Sequence, residues 1–210
     1  MSREASISYW TDRIARKAPP ASAPIIARWI VDLKVLFVIS KPRKTKLGDF
    51  MPPHNGKPAR ISVNSDLNQY NFLITTIHEF AHLGCYLKHG NKVNPHGQEW
   101  KKIYSDMLRQ FVSKHIFPED LIPVLHYHVS RPSASSCSCP KLSRALVKYD
   151  NKPGVFLSDL KLREPFIFHD TVYTRLEKRR TRYICQRQND GKKFLISERA
   201  MVELPKLNLT

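Results

Sequence analysis

The chain has 210 residues, 41% of them hydrophobic and 25% charged, enough for one ordinary domain plus an annex and for a core that needs no disulfide staples. No run approaches the ~18 apolar residues of a membrane-spanning helix, and the start, MSREASISYW, has neither the apolar stretch nor the small-residue cleavage site of a secretory signal. These features exclude an integral membrane protein. The expected compartment is the cytoplasm, nucleoid-associated or free, with the four cysteines reduced. The 35 Lys and Arg against 18 Asp and Glu give a net charge of +17, and such a field attracts polyanions. Cut at Ser130, the chain divides into a longer part at +8 and a shorter part at +9, so the tail is the more basic per residue.

In chain order, Ile7, Trp10 and Ile14 are spaced as one face of a short helix that must stop at APPASAP. A second helix is expected from Pro24 to Leu33. KVLFVIS (34–40) is short and β-branched, and KTKLGDFM and ARISVN flank the turn-rich insert PPHNGKP; together they predict three strands, the last two a hairpin. From Asn68 to His89 the helical period runs without proline, and Gly90 stops it. A further helix is expected from Gly97 to Lys114, with Trp100, Tyr104, Met107 or Leu108, and Phe111 buried. In LHYHVS, His126 and His128 are spaced to share a strand face. RPSASSCSCP (131–140) reads as a linker, and beyond it PFIFH, TVYTRL, TRYICQR and KKFLIS read as strands, the last two joined through NDG.

The chemistry is concentrated in HEFAH at 78–82. At ~100° per residue, His78 and His82 lie roughly 40° apart on one face of a helix, so both imidazoles can reach one tetrahedral metal. Leu73, Ile77, Phe80, Gly84 and Leu87 fall on the opposite face, which leaves the histidines on an exposed or cleft side. Glu79 adjoins the pair, placed to handle a water but turned away from ligation. A catalytic zinc needs a third protein ligand. Cys85, His89, His96 and Glu99 are the candidates. Cys85 is too near His82 on the same helix, and His89 is out of register with the HExxHxxGxxH pattern. His96, in PHGQEW after a loop long enough to turn back, is the expected ligand in preference to Glu99.

The stretch IHEFAHLGCYLKHGNKVNPHGQEW resembles the SprT-like metalloprotease family, the group that includes the Spartan protease, in which HExxH is followed by a loop and HG(x)₂(F/W). KLGDFMP and ARISVNSDLN resemble that family's strand pair, so the likeness covers about residues 5–130. It implies an α+β fold: a minigluzincin-like zinc metalloprotease domain (1–130) with a small three-stranded sheet and an active-site helix. A small basic β-rich unit (131–210) follows. It also implies Zn²⁺ held by His78, His82 and His96, Glu79 as general base, and peptide-bond hydrolysis of protein bound or crosslinked to DNA. The competing expectation is a DNA-binding or adaptor protein whose zinc is mainly structural.

The tail departs from the family pattern. Many members carry a four-cysteine zinc ribbon, whereas here only Cys137, Cys139 and a distant Cys185 are at hand, and Cys185 reads as a buried strand residue. The expected DNA contact is instead the cluster Lys178, Arg179, Arg180 and Arg182 beside Tyr183, cations interleaved with an aromatic.

Overall fold

The computed structural model describes residues 2–43, 45–132, 139–150 and 154–205. It is mixed α+β and divides into two compact units, Met1–Asp150 and Asn151–Thr210.

In the first unit, α1 (Arg3–Ala15) and α2 (Ala23–Asp32) form an antiparallel pair, pinned at its open end by Arg3 to Asp32 at 2.7 Å. The prolines of APPASAP supply the corner, because proline inside a helix removes a backbone donor. Strands β1 (Leu36–Ser40), β2 (Gly48–Met51) and β3 (Arg60–Asn64) make one sheet in the order β1-β3-β2. The pair β2 and β3 is antiparallel, while β1 runs parallel to β3 with Leu36 opposite Arg60. Arg43 ties the loop between β1 and β2 to β3, donating to Asn64 Oδ1 at 2.8 Å and to Ser62 Oγ at 3.0 Å.

Helix α3 (Gln69–His89) lies on this sheet. Its cap is Asn68, whose Oδ1 accepts from the N–H groups of Tyr70 and Asn71, and whose Nδ2 donates to the Leu146 carbonyl at 3.0 Å and to Asp150 Oδ1 at 2.6 Å. Gly90, at φ 61°, ends the helix, a conformation that costs glycine little. Phe72 through Ala81 are all buried, so α3 is the central rod of the unit and not an amphipathic surface helix. Of the histidines expected on an exposed or cleft side, His78 is buried and His82 half-buried. The expectation of Leu87 in the core stripe is corrected: it is 60% exposed, because α3 outruns its packing partners there. Each fully buried Leu, Ile or Phe on this rod contributes about 1.5–3 kcal/mol.

Helix α4 (Gln98–Ser113) packs along α3 and buries Trp100, Tyr104, Leu108 and Phe111, while Met107 is only half-buried. The segment 122–130, read as containing a strand, is instead helix α5 (Ile122–Ser130). Proline in its first turn is compatible with helix, and the apolar positions Leu125 and Val129 are four apart. His126 and His128 therefore diverge: His126 is exposed and His128 is fully buried. Helix α6 (Pro140–Val147) was not anticipated; Cys139, Leu142 and Leu146 join the same core as α3. The first unit thus extends to Asp150, twenty residues past the boundary expected at 130, because the small polar residues of 131–140 precede a helix that belongs to this core.

The second unit is β-rich. Strands β5 (Pro165–Phe168), β6 (Thr171–Arg179), β7 (Arg182–Arg187) and β8 (Lys193–Ser197) form an antiparallel sheet in that order. Short β4 (Val155–Phe156) pairs with β9 (Met201–Val202). Leu157, Leu160, Phe166, Tyr183, Cys185 and Val202 make its core. Cys85, Cys139 and Cys185 are buried free thiols, and Cys137 lies outside the described residues. Among the described residues no helix is long and apolar enough to cross a membrane.

Candidate metal centre

Helix α3 presents His78 and His82 one turn apart, and the third histidine arrives from the loop before α4. His96 has φ 59°, a left-handed conformation that costs a residue with a Cβ of order 1 kcal/mol. A turn closed by Gly97 N–H to the Asn94 carbonyl at 2.9 Å holds it there, and α4 begins immediately after. The result is a triangle: Nε2 of His78, His82 and His96 stand 3.1, 3.0 and 3.1 Å apart.

Such a triangle has no satisfactory hydrogen-bonded form, since each Nε2 offers either one N–H or one lone pair and cannot serve two neighbours at once. It does suit one ion at the ordinary Zn–N distance of about 2.0–2.1 Å from each nitrogen. Protonation does not compete near neutral pH. Burial, and then the neighbouring histidines, hold His78 down to about 3; burial and His96 hold His82 down to about 4; burial and Lys101 lower His96 as well. Three neutral imidazoles with convergent lone pairs therefore form a site compatible with zinc. Among the described residues no other cluster of His, Cys, Asp or Glu is so arranged, and Cys85, His89 and Glu99 stand outside it.

The rings are fixed by aromatic packing. Trp100 lies against all three, with centroids 4.6 Å from His78, 5.2 Å from His82 and 4.7 Å from His96, and stacks on Tyr104 at 4.9 Å. Tyr104 in turn reaches His128, hydroxyl to Nε2 at 3.0 Å. On the other side Phe50 of β2 lies parallel to His82 at 6.2 Å. The sequence places Trp100 in a core stripe and at the end of the HGQEW motif, but does not single out Phe50.

Glu79 is 6% exposed, under strand β2. Burial and then Asp49 push its carboxyl up to about 8, opposed by Arg43 and Lys46. Glu79 thus carries a buried carboxyl with a strongly raised pKa, on the residue that follows the histidine His78.

The basic cluster belongs to the second unit and is not part of this centre. Lys178 and Arg179 end β6, Arg180 turns the chain at φ 53°, and Arg182 opens β7; all four are exposed. Lys178 is paired with Glu198 at 2.7 Å, whereas Arg179, Arg180 and Arg182 make no ion pair among the described residues.

Residues 32–119, which hold the three strands, α3, the histidine triangle and all of α4, match the model of the SprT-like family. The match agrees with the resemblance carried by HEFAH and PHG. No curated protein and no solved structure matches the chain.

Proposed function

We propose that the protein is a zinc-dependent metalloprotease that hydrolyses peptide bonds, and that its first unit has a minigluzincin-like fold. The observation that carries this reading is the convergence of three neutral imidazole nitrogens at 3.0–3.1 Å, with the buried Glu79 next to His78 in the helix. Zinc at that point would supply Lewis acidity, polarising a scissile carbonyl and acidifying water. His78, His82 and His96 hold the ion through Nε2 and stay unprotonated because they are buried together. Glu79 takes the proton of the attacking water and delivers it to the departing amine. Trp100 and Phe50 keep the rings from rotating and exclude bulk water from their flanks, which sharpens every electrostatic interaction at the centre.

The substrates we propose are proteins bound or crosslinked to DNA, an inference from the likeness to the SprT-like family and from the three arginines of the β6–β7 turn that make no ion pair among the described residues and would contact phosphates irrespective of sequence. Elemental analysis of the purified protein, combined with cleavage of casein and of DNA-bound protein with and without DNA, tests the reading. It expects near-stoichiometric zinc and DNA-stimulated cleavage; a zinc-loaded protein that cleaves neither substrate overturns it.

A further inference from the structure

We propose that the groove between α4 and the end of α5 is a subsite for acidic peptide, so that preferred substrates carry a run of Asp or Glu on one side of the cleaved bond. This rests on the peptidase reading above and specifies its substrate class.

The groove is a cavity of about 630 Å³ whose walls carry Lys101, Lys102, Arg109 and Arg131. Asp106 is its acidic lining residue among those described, and Arg109 holds it at 2.7 Å. Lys101, Lys102 and Arg131 make no ion pair among the described residues. Lys101 is also half-buried, where an uncompensated ammonium is costlier than at an open surface. An anion in the groove would relieve that cost.

Position connects the groove to the metal centre. Its lining begins at Gln98, two residues beyond the ligand His96, and follows α4 to Arg109. Those eleven steps rise about 16 Å, the length of about five residues of extended chain. A polypeptide with its scissile bond at the histidines could therefore lay its flanking residues along these cations. The lining favours peptide over nucleic acid, because no aromatic ring among the described residues faces the cavity to stack a base.

The test uses full-length, zinc-loaded protein carrying Glu79→Gln, so that binding is read without turnover. The probes are two fluorescent decapeptides, identical except that four Glu in one replace four Gln in the other; the set is made twice, with the run near either end. Fluorescence anisotropy should show the Glu peptide of at least one orientation binding about tenfold more tightly at low salt, with the advantage shrinking as salt rises. In Lys102→Glu/Arg131→Glu, both at exposed positions, the advantage should vanish. Equal binding of Glu and Gln peptides, or a preference that survives the double substitution, overturns the proposal. So does a short single-stranded DNA that displaces the Glu peptide and itself loses affinity in the same variant, since it would assign the groove to nucleic acid. Should the preference hold while protein with Glu79 intact hydrolyses neither peptide, the subsite stands and the peptidase reading falls.

Discussion

Gly48 and Glu79 face each other with no room for a methyl group between them. A Cβ built on Gly48 would collide with Glu79 Oε1 and come within 2.8 Å of both Glu79 Cγ and Thr75 Cγ2. Strand β2 therefore crosses α3 at a separation that only glycine permits, and the carboxyl of the proposed base is seated against that backbone. Gly48→Ala should shift Glu79 and lower kcat by about 10²-fold, the penalty typical of a ~1 Å misplacement. It should cost about 1–3 kcal/mol of stability through overpacking and leave the zinc content intact. Combining it with Glu79→Asp, whose shorter side chain makes room for the methyl group, should recover stability relative to Gly48→Ala alone in a denaturant titration.

Glu79→Gln should abolish cleavage while zinc remains near stoichiometric, because it removes a proton acceptor and not a ligand. His96→Ala should lose the metal. Elemental analysis after dialysis separates the two, and retention of zinc by His96→Ala together with its loss from Glu99→Ala would reverse the ligand assignment.

The His128 pair with Tyr104 predicts an acid limb to stability. Burial holds folded His128 down to about 4, against 6.5 for an ordinary histidine. Above pH 6.5 both states are neutral there and the group has no influence. As pH falls from 6.5 toward 4 the unfolded chain binds a proton that the folded protein refuses, so stability declines, by about 3 kcal/mol at most, and levels off below the folded value. His128→Gln should flatten this limb. Urea midpoints at pH 7 and pH 5, taken on the zinc-loaded forms, check it.

The basic turn of the second unit predicts a salt signature. Affinity for DNA should fall with a log–log slope of about −0.7 to −0.9 per phosphate neutralised, and Arg179→Ala/Arg180→Ala/Arg182→Ala should both weaken binding and flatten the slope. Binding that ignores the triple substitution would remove this turn from the interface.

A fragment of residues 1–150 should fold cooperatively, and one of residues 1–130 should not. The shorter fragment strips Leu142 and Leu146 from the core and takes away the carbonyl that Asn68 holds. Circular dichroism melts distinguish them, and equal melting temperatures would show that α6 adds nothing to the unit.

Much of the centre was legible because it depends on short-range spacing. The i, i+4 histidines of α3, the Gly90 stop and the proline corner after α1 are local signals, and all three strands of the first sheet lie where the β-branched run 34–40 and the segments flanking PPHNGKP predict them. What the pattern concealed depends on tertiary context. LHYHVS alternates well enough for a strand, but Leu125 and Val129 have a core to meet only as helix α5. In PKLSRALV the stripe is just Leu142 and Leu146, too short to distinguish from loop until the end of α6 meets Asn68. The contact of Gly48 with Glu79 spans thirty-one positions, and nothing in the intervening residues announces it.

The Asn68 side chain also bears on biosynthesis. It anchors the start of α3, yet two of its four hydrogen-bond partners, Leu146 and Asp150, are translated some eighty residues later. A nascent chain thus has all three histidines well before the helix carrying two of them can be locked at its origin. Since domains fold as units while synthesis proceeds, the ribosome must release residue 150 before the metal centre acquires its final rigidity. Zinc that reached the chain earlier would meet ligands on a rod still loose at one end.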